Sequence, residues 1–166
     1  MTPHDPKGER PPLPRRAPAA VCAAAGLAFL LSAAPVLADV AFRDPLNNQP
    51  LDIPLPEGDQ LTPAVERFRQ TGENPYTGDP AAQGDGKKAW DEYCQACHLP
   101  DGSGRIGPNL LDEDWNHPRD ATDVGMFEIL WAGGTGAMQS FKDRLSQDRM
   151  LRVIAYIRAL RDAKKP

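Results

Sequence analysis

Cysteine and histidine are scarce, with three of each in 166 residues. So few thiols exclude a disulfide-dense scaffold. No second cysteine pair follows the first, which excludes a zinc ribbon. Basic residues are not in excess, at 19 Lys and Arg against 23 Asp and Glu, and this argues against a nucleic-acid partner, whose phosphates demand a basic surface. Long hydrophobic runs are also missing. The one sustained apolar stretch, AAVCAAAGLAFLLSAAPVLA, is broken by Ser32 and Pro35 and is short for a bilayer span. It follows a polar segment carrying Lys7, Arg10, Arg15 and Arg16 and ends in small residues, the pattern of a secretory signal peptide over residues 1–38 with cleavage after Ala38. Cys22 leaves with that peptide.

The chain expected after export starts near Asp39, is periplasmic and has no membrane anchor. Losing the four basic and two acidic residues of the leader leaves 15 basic and 21 acidic residues, and the formal charge moves from −4 to −6. Residues 39–78 are punctuated by Pro45, Pro50, Pro54, Pro56, Pro63 and Pro75. They read as a Pro-rich N-terminal arm, either extended and packed on the C-terminal domain or a mobile leader. One short helix is expected at TPAVERFRQ, with Thr62 as cap and Pro63 at the first position. No internal repeat is present.

Against this background Cys94 and Cys97, the only cysteines of the exported chain, sit in YCQACHLPDG. An exported pair three apart could form a tight disulfide, but redox dithiols of that kind belong to a βαβ context that the sequence lacks. Zinc needs about four ligands. Two thiolates and His98 leave one missing, with His117 the only other histidine of the exported chain. Cys-x-x-Cys-His is the attachment signature of c-type haem. In a helical segment Cys94, Cys97 and His98 share one face, so two thioethers can form while His98 meets the iron from the same side.

The flanks support that helix. Asp79 is placed to cap it and Pro80 to start it, while Gly86 weakens it and calls for close packing against another helix. The partner is expected in LSQDRMLRVIAYIRALRD, capped by Ser146, with Met150, Val153, Ile154, Ile157 and Leu160 on one face. A third helix fits TDVGMFEILWAGG, capped by Thr122 or Asp123, with Met126, Phe127, Leu130 and Trp131 inward and Gly133-Gly134 ending it. Residues 79–166 therefore form a small all-α domain, whose limited apolar core a covalent haem would complete. Between Leu99 and Trp115 the chain is too rich in Gly, Pro and Asp for regular structure and reads as a loop around one haem edge.

Met126 and Met150 fall in step with apolar helix faces. Met138 lies instead in GGTGAMQSF, where Gly133, Gly134 and Gly136 permit close approach of the backbone, and it is the first candidate for the sixth iron position. His117, in DWNHPRD, is the second. A His/Met pair closes the iron to small molecules and raises its potential, which suits one-electron transfer. An open or displaceable sixth position would instead make a ligand-binding haem protein. No Ser/His/Asp set, paired catalytic carboxylates or uncommitted thiol is evident, so no enzyme is expected.

Taken together, Gly86, Trp90, Cys94, Cys97 and His98, the GPNL of Gly107 to Leu110, the Gly-rich methionine loop and VIAYIRAL resemble class I cytochromes c. The stretches TPAVERFRQTGENPYTGD, GRIGPNLLDEDWNHPRDATDVGMFEILWAGGTGAM and LSQDRMLRVIAYIRAL narrow the resemblance to the cytochrome c-L family, from about Ala41 to Leu160. The resemblance implies a class I cytochrome c fold and a periplasmic monomer. Such a protein accepts electrons from a quinoprotein methanol or alcohol dehydrogenase and delivers them to another cytochrome c or an oxidase. It further implies that the Pro108 carbonyl bonds the non-ligating nitrogen of His98, that Gly86 and Trp90 pack against Tyr156, and that Arg105 and Trp115 bond the haem propionates. A calcium ion near the haem is also implied, with Asp112, Glu113 and Asp114 as candidate oxygen donors. The sequence departs from methanol-linked members in stopping soon after its last helix, where they carry a longer tail.

Overall fold

The computed structural model describes residues 39–165, so the expected signal peptide lies outside the described residues. Five α-helices follow in order: α1 Pro63–Thr71, α2 Pro80–Tyr93, α3 Gln95–His98, α4 Asp123–Ala132 and α5 Gln147–Lys164. A 3₁₀ turn at Pro118–Ala121 precedes α4. Among the described residues the only extended pairing outside helices is an isolated antiparallel bridge between Arg43 and Pro50. No helix among them is long and apolar enough to cross a membrane.

Local chemistry sets the helix starts. Thr62 Oγ1 accepts from Val65 N at 3.3 Å, Asp79 Oδ1 from Ala81 N at 2.9 Å, Thr122 Oγ1 from Gly125 N at 3.0 Å and Ser146 Oγ from Arg149 N at 3.2 Å. Each bond satisfies an amide that the helix itself leaves unpaired. Pro63 and Pro80 occupy first-turn positions where the missing N–H costs nothing.

Packing is dominated by α2 against α5. Trp90 is 1% exposed and meets Tyr156 edge-on, with ring centroids 5.9 Å apart. Gly86 lies at the crossing, where a methyl group would collide with the Arg152 carbonyl and come within 3.1 Å of Tyr156 Cβ. The residue expected to weaken α2 is thus the one that lets α5 approach.

The Pro-rich arm is packed rather than loose. Val40 N donates to Arg69 O at 2.7 Å and Leu51 N to Phe42 O at 3.0 Å. Phe42 lies 6.1 Å from Phe68 and 5.8 Å from Phe127, which are themselves 5.0 Å apart, so arm, α1 and α4 share one aromatic cluster. Burying one such phenylalanine contributes roughly 1.5–3 kcal/mol. Glu128, 1% exposed on α4, fastens the arm from below. Its Oε1 accepts from Arg43 N at 2.7 Å and from Arg119 Nη2 at 2.6 Å, and its Oε2 from Arg119 Nε at 2.8 Å.

Candidate cofactor site

The expected continuous helix through the cysteine motif is interrupted. Helix α2 ends at Tyr93, Cys94 stands between helices at φ −112°, and α3 is a single turn. Cys94 O accepts from both Cys97 N at 3.1 Å and His98 N at 3.0 Å, a bifurcation that tightens the turn while keeping the three side chains on one face. Leu99 then takes φ 63°, rare for a bulky residue, and swings the chain away directly after the histidine. Cys94 and Cys97 are free thiols. Burial pushes Cys94 up to about 12, with Cys97 adding to the shift.

The tautomer of His98 follows from its surroundings. Burial lowers its pKa while the Pro108 bond opposes, so the ring is neutral at physiological pH. Nδ1 lies 3.0 Å from Pro108 O, an atom that can only accept, so the proton resides on Nδ1 and the Nε2 lone pair is free for a metal. Gly107 makes room for the ring, since a Cβ there would fall 2.5 Å from His98 Cε1. Behind it, Trp90 stacks obliquely on the imidazole with centroids 5.9 Å apart.

Cys94, Cys97 and His98 border a cavity of about 370 Å³, within the roughly 300–1,000 Å³ typical of cofactor sites. Met126, Leu130, Phe141 and Ile157 supply apolar wall from α4, the loop after it and α5. Met138 is half-buried on the same wall. Its loop is closed by Gly134 N donating to Met138 O at 3.0 Å and anchored by Phe141 N donating to Leu130 O at 2.9 Å. Pro108, Trp115 and His117 also line the cavity, and Met150, fully buried, does not.

Arg105 is the expected site residue that the fold does not bring to the wall. Its guanidinium donates to Ala96 O at 2.9 Å, and its amide donates to Cys97 O at 3.1 Å, so it braces the motif from outside. Asp114, a candidate calcium donor by resemblance, also lines the wall, and two further charged wall residues are not distinguished by the sequence alone: Asp120 and Arg144, the latter over the Phe141 ring at 4.7 Å. Only contact with the loops reveals them, because Asp120 lies in a four-residue 3₁₀ turn and Arg144 in irregular chain, neither long enough to show a period.

The acidic loop does not fit calcium. Asp112 Oδ2 accepts from Asn109 Nδ2 at 2.7 Å and its Oδ1 from Asp114 N at 3.1 Å, while Glu113 Oε1 accepts from Arg161 Nη2 at 2.6 Å. The carboxylates point to separate partners instead of a common centre. Among the described residues no group of three His, Cys, Asp or Glu is arranged to hold a metal ion.

The cavity does fit haem. It offers two thiols, one imidazole with a defined free nitrogen, one thioether and an apolar wall. Two buried polar atoms on its lining residues, Trp115 Nε1 and His117 Nε2, have no hydrogen-bond partner among the described residues. Such orphans are rare in native interiors and point to a missing polar group, such as a propionate.

Comparison with known proteins agrees. Residues 81–157 match the family model described as cytochrome c oxidase, cbb3-type, subunit III. The chain is 38% identical over 122 residues to cytochrome c-L of Methylorubrum extorquens, covering 73% of this chain and 62% of that protein, so it spans less than two thirds of the relative's length. It is similar to the crystal structure of cytochrome cL from Hyphomicrobium denitrificans, with TM-score 0.69 and 36% identity over 73% of each chain. It is also similar to cytochrome cL from the marine methylotrophic bacterium Methylophaga aminisulfidivorans, with TM-score 0.70 and 29% identity over 76% of this chain and 89% of that one.

Proposed function

Because this chain belongs to the cytochrome c-L family of class I cytochromes c, whose cofactor is covalent haem c, we propose that it is a periplasmic one-electron carrier in methylotrophy. Its donor is a quinoprotein methanol or alcohol dehydrogenase, and its acceptor is another cytochrome c leading to a terminal oxidase. The observation that carries the reading is the convergence of Cys94, Cys97, His98 and Met138 on one cavity, with the imidazole tautomer fixed by Pro108.

Bound haem c supplies a one-electron iron couple. Cys94 and Cys97 would anchor it through thioethers, His98 Nε2 and Met138 Sδ would ligate its iron, and Trp115 Nε1 would donate to a propionate. The Pro108 carbonyl keeps the His98 ring oriented and basic. The apolar wall from Met126, Leu130 and Ile157 excludes water and favours the less charged reduced state.

The rim suits a transient partner. Ile106, which is 67% exposed, and the exposed Thr135, Gly136 and Ala137 all border the cavity. An exposed apolar side chain at the rim of an acidic chain supports weak docking, below about 1,200 Å² of total buried area, so that the carrier leaves after each electron. Attraction to a basic partner surface would raise the association rate and weaken with salt.

The test mixes oxidised protein with the quinoprotein methanol dehydrogenase of the same organism and methanol, and follows haem reduction as ionic strength rises. Rapid reduction that slows with salt is expected. Failure with every periplasmic quinoprotein of that organism overturns the donor assignment. Haem that washes out in acid-acetone overturns the covalent site itself.

A further inference from the structure

Arg161 is the buried charge that the electron-transfer reading leaves unexplained. It sits in the last turn of α5 and is 7% exposed. Its Nη1 donates to Leu110 O at 2.9 Å and to Asp112 O at 2.6 Å, and its Nη2 donates to Glu113 Oε1 at 2.6 Å. Its guanidinium carbon lies 4.6 Å from the centroid of the Trp115 ring. Between Leu110 and Trp115, therefore, four residues of an irregular loop turn toward one positive centre.

Two main-chain carbonyls and a carboxylate around one positive centre are the donors that a hard divalent cation recruits from a loop. Here they are already taken. A guanidinium is charged at every accessible pH and presents its donors in a rigid planar fork, which suits several oxygens at fixed angles. The face left over meets an aromatic ring, where a cation is attracted by the ring's negative face. A calcium ion brought to the same oxygens would have to displace the guanidinium or sit against its charge. The remaining carboxylate oxygens of Asp112 are turned away, onto Asn109 and the Asp114 amide.

We propose that Arg161 takes the place of a structural cation in this chain: it orders the Leu110–Trp115 loop and fixes Trp115 on the cavity wall without a divalent metal. Arg161 is thus a positioning residue. It acts through Trp115, whose buried Nε1 has no partner among the described residues, and its effect on the haem rests on the electron-transfer reading above. Without the guanidinium, the Leu110 and Asp112 carbonyls lose their shared donor and Trp115 loses the contact on its outer face.

The experiment uses the haem-loaded protein, after covalent attachment has been verified by acid-acetone. Wild-type protein is dialysed against EGTA or equilibrated with millimolar calcium, and its thermal midpoint, haem reduction potential and metal content are measured. Identical midpoints and potentials in the two buffers, with no calcium retained, are expected. One calcium per chain surviving dialysis, or a potential that moves with EGTA, overturns the proposal whether or not any variant folds. Arg161→Met should change the near-UV tryptophan circular dichroism and shift the potential, with haem retained. Arg161→Lys should restore only part of both, because an ammonium cannot fork to three oxygens. An Arg161→Met protein with wild-type potential and dichroism refutes the positioning role. Haem that fails to stay attached in wild type sinks the functional reading instead, and the calcium comparison of thermal midpoints and metal content still decides the loop.

Discussion

Two glycines one half-turn apart in α2 should respond oppositely to the same substitution. Gly84 has nothing within 4 Å of the point a methyl group would occupy, so Gly84→Ala gains helix propensity without a contact. That gain is about 1 kcal/mol in a helix interior. Gly86→Ala gains the same propensity but drives its methyl into the Arg152 carbonyl. The obstructing atom belongs to the backbone of α5 and cannot rotate away, so the helices must part. Overpacking of this kind costs about 1–3 kcal/mol, and the upper end applies where a rigid backbone blocks the site, leaving a net loss of about 2 kcal/mol. For a domain of this size about 4 °C accompanies each kcal/mol. Gly86→Ala should therefore melt roughly 8 °C below wild type and Gly84→Ala roughly 4 °C above it. Urea titration of the haem-loaded proteins should show opposite shifts in midpoint at a common slope. A Gly86→Ala midpoint at or above wild type would refute the claim that this glycine exists to admit α5.

Met138→Ala should abolish the weak sulfur-to-iron charge-transfer band of the oxidised protein and admit carbon monoxide, whereas Met126→Leu should cost below about 1.5 kcal/mol; loss of the band in His117→Ala instead would move the ligand role to that residue. Glu128→Ala leaves Arg43 N and Arg119 without an acceptor and should cost about 2–4 kcal/mol in urea unfolding, with faster proteolysis of the arm. Glu128→Gln should cost less, because its remaining oxygen still accepts from Arg43 N. Burial pushes the Asp148 carboxyl up, but hydrogen bonds from Tyr76, Arg152 and Thr62 outweigh it and hold the group below its ordinary value. Its stability contribution is present above that ordinary value, is lost as pH falls through the lower folded value, and should vanish from the acid limb of Asp148→Asn. Asp120 has the opposite sign: burial pushes it up to about 6, with His117 opposing and Glu128 adding. Stability is therefore lost as pH rises from the ordinary carboxylate value through about 6, and Asp120→Asn should exceed wild type at pH 8 with a gap that closes on acidification.

What the sequence makes legible is local. Thr62, Asp79, Thr122 and Ser146 announce their helices because an N-cap acts within three residues. The α2–α5 crossing is readable because Gly86 departs from what an isolated helix would choose, while the packing of Trp90 against Tyr156 is what the family resemblance implies. The break at Cys94 is not readable, since good helix formers flank it and only the turn around His98 requires it. Whether residues 39–78 pack or float also depends on distant partners. Composition gives Phe42 no address, and its neighbours Phe68 and Phe127 lie on separate helices.

Arg161 differs from these cases, because its position is visible in the sequence while its meaning is not. It continues the apolar stripe of α5, seven residues after Ile154 and four after Ile157, so a charge falls where the period calls for a hydrophobe. Glu128 repeats the pattern in α4, flanked by buried Phe127 and Leu130. In both helices the charge on the apolar phase reaches irregular chain: Arg161 bonds the Leu110 and Asp112 carbonyls, and Glu128 bonds the Arg43 amide. Gln147 does the same with Pro54 O at 2.8 Å, and Asn74 in the irregular chain bonds Leu151 O at 2.7 Å. The common cause is the cavity. A small domain that gives part of its interior to a cofactor has less side-chain core with which to hold its loops. Directional bonds from buried polar groups then fix those loops, at positions where satisfied partners make burial tolerable. A charge placed on the apolar phase of a helix in such a chain therefore identifies a helix that holds irregular chain, even before that chain's own partner is known.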